Sequence, residues 1–201
     1  MAEAAETITR KRAMRLEYGS RITQFQGKSE ASSAIVSLLL GSELYISAAI
    51  LVGFVPMESE PAILPVLRHW TGLGRKLLLP AFVRHTKSYA LAEVKALDGS
   101  ALVPGKYGIL EPREEIPRQQ PPYTFSEPAI WLVPGVAFSP GGLRLGRGGG
   151  YYDRLLDSSN GVKIAVCFDC QLAEELPATR QDAKMDYILT ESCITKCTHA
   201  S

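Results

Sequence analysis

Ala48-Ala-Ile-Leu-Val-Gly-Phe-Val55, Pro61-Ala-Ile-Leu-Pro-Val-Leu-Arg-His-Trp-Thr-Gly-Leu73 and Leu77-Leu-Leu79 follow one another along the chain, and their periods decide the fold. The first and third are short, continuous apolar runs, the pattern of strands buried on both faces. The middle piece is long enough for a helix and ends at glycine. Strand, helix and strand in that order predict a β-α-β unit with parallel strands.

Working outward, residues 8–25 are rich in Arg, Lys, Glu and Ala without Pro, and predict an amphipathic helix with Lys11 and Arg15 one turn apart on one face. A second helix is predicted from Ser29, as N-cap, to Gly41. On the other side, further strands are expected over residues 89–94, 130–133, 162–168 and 187–189. The economical architecture is α/β: a single three-layer α/β/α domain with a mostly parallel sheet. It is expected to span residues 1–191, with 192–201 as a C-terminal tail. The proline-rich stretch 98–128 suits a loop crossing over a site, or a passive linker.

The chain has 201 residues, 46% of them hydrophobic, enough for a substantial core. Lys and Arg number 22 against 21 Asp and Glu, so no global field draws the chain toward nucleic acid or an anionic membrane, and an anionic ligand must be held locally. No apolar run suggests a membrane span, and the acidic start Met1-Ala-Glu-Ala-Ala-Glu6 is unlike a secretory leader. A cytoplasmic, monomeric protein without nucleic-acid or membrane partners is the expectation. Cys167, Cys170, Cys193 and Cys197 could be read as a zinc site, but Cys167 falls inside an apolar run and the last two fall in a terminus expected to fray.

The chemical signal is concentrated in Arg144-Leu-Gly-Arg-Gly-Gly-Gly-Tyr-Tyr-Asp153, after an apolar strand and before Arg154-Leu-Leu156, which could open a helix. Successive glycines permit positive φ and close backbone approach, so consecutive N–H groups can turn toward phosphate oxygens, with Arg144 and Arg147 as charge-assisted donors. The segment is neither a P-loop nor a Rossmann fingerprint. A plain glycine turn and an RNA-binding Gly-Arg segment are the competing readings.

With Pro134-Gly-Val-Ala-Phe138 before it, this segment resembles the signature of the 5-formyltetrahydrofolate cyclo-ligase family. Lys11-Arg-Ala-Met-Arg15, Glu58-Ser-Glu60, Tyr107-Gly-Ile-Leu-Glu-Pro112, Phe168, Gln171 and Gln181-Asp182 resemble further family motifs in the same order. Ser139 stands where Asp commonly follows Phe, and Pro56 where Ser is usual.

The resemblance implies conversion of 5-formyltetrahydrofolate, with ATP and Mg²⁺, into 5,10-methenyltetrahydrofolate, ADP and phosphate through an iminium phosphate. It implies ATP contacts from Lys11, Arg15, Arg144, Leu145, Gly146, Arg147, Gly148, Gly149, Gly150, Tyr151 and Tyr152, with Arg144 and Tyr151 catalytic. It further implies folate contacts from Glu58, Tyr107 and Tyr151, and Mg²⁺ near Asp153 and Asp182. Each has a plainer reading: Lys11 and Arg15 as a solvated helix face, the tyrosines as packing, Asp153 as a helix cap, Glu58 and Asp182 as surface acids. A relative that kept the nucleotide site but lost folate turnover also fits.

Overall fold

The computed structural model describes residues 2–105, 108–179 and 182–198. The chain opens with α1 (Ala2–Gln24), α2 (Lys28–Leu40) and α3 (Glu43–Ile46), then β1 (Ile50–Val52), α4 (Leu64–Gly72), β2 (Lys76–Val83) and β3 (Ser88–Val94). Three short strands follow, β4 (Leu102–Pro104), β5 (Leu110–Pro112) and β6 (Arg118–Gln119). After β7 (Ala129–Val133) come the small hairpin of β8 (Ala137–Phe138) and β9 (Arg144–Leu145), then α5 (Tyr151–Asp157), β10 (Val162–Val166), β11 (Tyr187–Leu189) and β12 (Ile194–Lys196).

The main sheet has eight strands in the order β12-β11-β10-β7-β1-β2-β3-β6. Its five central strands run parallel, while β12, β3 and β6 add antiparallel edges. The predicted β-α-β unit is present, with Leu51 of β1 opposite Leu77 of β2. Alternation across the pleat separates two cores. Leu51, Leu77, Leu79, Ile130 and Leu132 pack with Ile35, Leu39, Leu67 and Trp70 of α2 and α4. Ile50, Val52, Leu78, Trp131 and Val133 pack on the opposite face with Phe138, Leu155 and Leu156. The second layer is thin, formed by the seven-residue α5 and irregular chain. A third cluster, around Tyr18, Val136, Leu145 and Leu176, seats α1 on the β8–β9 hairpin.

Several boundaries differ from the sequence reading. Ser29 lies inside α2, whose N-cap is Gly27 at φ 81. The left-handed turn there requires glycine, so the start is set by backbone geometry and not by a side-chain cap. Residues 98–128 are not structureless: β4 and β5 form a hairpin, and β6 closes one edge of the sheet. Residues 194–196, expected to fray, pair with β11. Strand β1 ends at Val52, leaving Phe54 and Val55 to line the space beyond it.

That space matters. From β1 the chain proceeds to β2 on one side and to β7 and β10 on the other, so the order reverses between β1 and β7. In an open parallel sheet a crevice opens beyond the carboxyl ends of strands at such a point, because the connections leave in opposite directions.

Candidate active site

A cleft of about 460 Å³ occupies this crevice. Phe54 and Val55 beyond β1, Pro80 of β2, and Pro134 and Gly135 beyond β7 form its floor. The segment Gly146 to Asp153 forms one wall; Met57, Glu60, Tyr89, Ile109 and Glu111 contribute to the others. The surface is largely apolar with a few convergent polar groups, the composition of a small-molecule site.

Arg144 and Arg15 back the glycine wall, and Lys11 anchors Asp182. Arg144, on β9, is buried; it donates to Asp153 Oδ1 at 2.7 Å and lies over the Tyr152 ring at 5.5 Å. Its Nε is buried without a hydrogen-bond partner among the described residues. Arg15 of α1 donates to the carbonyl of Gly146 at 2.8 Å, and Lys11 one turn earlier donates to both oxygens of Asp182 at 2.8 and 2.6 Å. The plainer reading of Lys11 and Arg15 as a solvated face is therefore set aside: α1 docks them behind the glycine segment. Gly148 at φ 100 and Gly150 at φ 63 hold left-handed backbone that other residues adopt only with strain.

Tyr151 and Tyr89 meet edge to face at 4.9 Å, and Arg154 lies over the Tyr151 ring at 5.1 Å. Burial pushes the Tyr152 hydroxyl's pKa up, the negative charge of Glu60 adds to this, and Arg144 partly opposes it. The phenol stays protonated across the physiological range, a donor rather than a base.

The acids fall otherwise than the sequence reading expected. Glu58 is exposed, whereas Glu60, two residues on, faces the cleft with its side chain 8% exposed. Glu60 Oε2 accepts from the Met57 N–H at 3.0 Å, and Arg147 reaches Oε1 at 3.4 Å while donating to Ser59 Oγ at 2.7 Å. Burial raises the Glu60 pKa, with the Met57 N–H and Arg147 pulling the other way. Glu111 is a second buried acid: its Oε2 accepts from Phe82 N–H at 3.1 Å and its Oε1 from Tyr89 Oη–H at 3.2 Å. Both acids sit in stretches singled out by sequence, but only placement on the turn after β1 and on β5 distinguishes them from their exposed neighbours.

Leu145 does not line the cleft: its side chain is buried in the α1 cluster and its carbonyl accepts from Val136 N–H at 2.7 Å. Tyr107 lies outside the described residues. Asp153 is 28% exposed at the cleft, whereas Asp182 is held on both oxygens by Lys11 and also accepts from Thr179. Burial works to raise the Asp182 pKa, but the Lys11 and Thr179 hydrogen bonds outweigh it and hold the carboxyl below its ordinary range. One carboxylate at the rim suits Mg²⁺, which binds through one or two carboxylates plus substrate phosphates and waters. Asp153 meets that requirement; Asp182 serves as the anchor of Lys11.

The zinc reading finds no footing. Cys167 and Cys197 pack in one face's core and Cys170 against the other's, and no group of three or more candidate ligands gathers among the described residues. In the Gly-Arg segment Arg144 is buried and paired with Asp153, and Gly146 to Gly150 line the cleft. Among the described residues no helix is long and apolar enough to cross a membrane.

Comparison with known proteins agrees with this geometry. The sequence profile described as the 5-formyltetrahydrofolate cyclo-ligase family matches residues 5–191. A 5-formyltetrahydrofolate cyclo-ligase of Mycolicibacterium smegmatis is 34% identical over 152 residues, 74% of this chain and 77% of that protein. One from Escherichia coli is 31% identical over 143 residues, 69% of this chain and 76% of that protein. The solved 5,10-methenyltetrahydrofolate synthetase of Aquifex aeolicus superposes with a TM-score of 0.79 at 27% identity, covering 95% of this chain and 94% of that one. A β-α-β sheet with its cleft at the switch point, walled by the Arg144 to Asp153 segment, thus places the chain in the 5-formyltetrahydrofolate cyclo-ligase family of ligases.

Proposed function

We propose that this chain converts 5-formyltetrahydrofolate to 5,10-methenyltetrahydrofolate, consuming ATP with Mg²⁺ and releasing ADP and phosphate. The observation that carries the reading is one cleft that brings a glycine wall, with Arg144 and Arg15 behind it, together with the buried acid Glu60 and the aromatic pair of Tyr89 and Tyr151. The glycine wall suits a triphosphate, and the acid and aromatic rings suit a flat heterocycle with hydrogen-bond donors on its edge.

A formamide oxygen is a poor leaving group, so direct ring closure is prohibitive. Attack of the formyl oxygen on the γ-phosphorus, with departure of ADP, gives an iminium phosphate. N10 then attacks the activated carbon, loses its proton and expels phosphate carrying the former formyl oxygen. The residues supply alignment and charge. In this proposal Gly146 to Gly150 cradle the triphosphate by their N–H groups, and Arg144, held by Asp153, fixes positive charge beside it. Glu60, rather than Glu58, accepts from the pterin edge, and Tyr151 and Tyr89 supply the aromatic wall. Asp153 would hold Mg²⁺, which would supply positive charge against the phosphates.

The test is absorbance in the methenyl-folate band with 5-formyltetrahydrofolate and Mg²⁺, with and without ATP. Growth of the band only with ATP is expected. Growth without ATP, or none with it, overturns the proposal.

A further inference from the structure

The two arginines of the glycine segment are held differently. Arg144 is buried against Asp153, while the Arg147 side chain is 48% exposed and is held across the cleft by Ser59 Oγ at 2.7 Å and Glu60 Oε1 at 3.4 Å. A charge-assisted N–H···O bond is ordinarily about 2.7–2.9 Å, so the guanidinium is tied firmly to the serine and loosely to the carboxylate. Arg147 also stands between Gly146 and Gly148, within reach of any anion on that wall. One side chain therefore bridges the glycine wall and the buried acid on the turn after β1.

We infer that Arg147 is an exchangeable latch between the two halves of the cleft, through which nucleotide and folate tighten one another's binding. The inference rests on the proposed function, since both ligands must share this cleft. A triphosphate carries several negative charges and Glu60 at most one, so at similar distances the phosphates attract the guanidinium more strongly. Moving toward them, Arg147 vacates Oε1 of Glu60, whose Oε2 stays fixed by the Met57 N–H. The vacated oxygen then accepts from the pterin edge. Conversely, pterin donors on Oε1 take over the acceptor that Arg147 used and leave it free for phosphate. Such coupling is reciprocal by thermodynamic necessity.

The experiment is calorimetric titration of the full chain with 5-formyltetrahydrofolate, with and without saturating Mg²⁺ and an ATP analogue bearing a non-hydrolysable imido bridge, and the reverse titration. In the unaltered protein each ligand should lower the Kd of the other by a similar factor, roughly tenfold. Arg147→Ala should bind folate equally with and without the analogue, and more tightly than the unaltered protein when the analogue is absent. Ser59→Ala, which loosens the latch but keeps Arg147 for phosphate, should tighten folate binding without the analogue and leave it unchanged with the analogue. Binding of both ligands without mutual effect, or full coupling retained in Arg147→Ala, overturns the latch and leaves the proposed function standing. Failure of either ligand to bind the unaltered protein overturns both.

Discussion

At the scale of single residues, the cleft holds two buried charges compensated to different degrees, Arg144 by Asp153 at 2.7 Å and Glu60 by Arg147 at 3.4 Å. Arg144 is buried but paired with Asp153, so its positive charge is fixed at the cleft, where the proposed function puts the phosphates. Arg144→Ala removes that charge and leaves Asp153 facing the site alone; kcat should fall on the order of 10²- to 10³-fold, as when one preorganised donor to developing charge is lost. Steady-state kinetics with the fold checked by circular dichroism measure this, and near-normal turnover would refute the role. Glu60 is buried with its pKa raised, so below the ordinary carboxylate range its contribution to stability is fully present, and it is lost as pH rises through the raised value. Above that raised value an ionised Glu60 costs stability. Glu60→Gln should thus raise Tm at pH above that value while raising KM for 5-formyltetrahydrofolate by roughly tenfold or more, the loss expected for one hydrogen bond to a charged acceptor. A lower Tm together with unchanged KM would remove Glu60 from the folate end. Sequence marked the motif Glu58-Ser-Glu60 but not which acid turns inward, because that depends on the turn in which Met57 N–H caps the Glu60 carboxylate.

Among elements, the strands and helices that build the crevice were the most legible, because β1, β2, β7 and β10 are nearly continuous apolar runs in the sequence. Their ends were not, since a strand stops where pairing stops, as at Val52, and apolar character continues into Phe54 and Val55. Short edge strands such as β6 and β12 carry too few residues to show a period, and are stabilised by a neighbour that the local sequence does not reveal. Gly161, before β10, illustrates a constraint of pure geometry. Its φ is 93, and a Cβ there would lie 2.7 Å from the carbonyl oxygen of Ala129 on the neighbouring strand. Gly161→Ala should therefore destabilise the fold by about 2 kcal/mol or more, through left-handed strain plus a backbone clash. Urea unfolding measures the loss; with Gly161 away from the cleft, KM for both substrates should be unchanged in the folded fraction.

For the molecule as a whole, α1 joins the site to the rest of the fold. Its Lys11 clamps Asp182 and its Arg15 holds the Gly146 carbonyl, so a helix from the start of the chain braces a loop more than a hundred residues later. Helical spacing put Lys11 and Arg15 on one face, but their partners became visible only with the tertiary fold. Asp182 titrates below its ordinary range, so its stabilising contribution is present above that range and is lost as pH falls through the depressed value. Asp182→Asn should cost about 1 kcal/mol at neutral pH and flatten the acid limb of the stability profile. Denaturant unfolding across pH provides the comparison, and an unchanged acid limb would assign the acid sensitivity elsewhere.

The central claim is that one cleft aligns the formyl oxygen with the γ-phosphorus, so that this oxygen leaves as part of phosphate. It is tested most directly by turning over 5-formyltetrahydrofolate labelled with heavy oxygen in its formyl group and weighing the products by mass spectrometry. The account predicts one labelled oxygen in each inorganic phosphate released and none in ADP. Labelled water with unlabelled phosphate would contradict it.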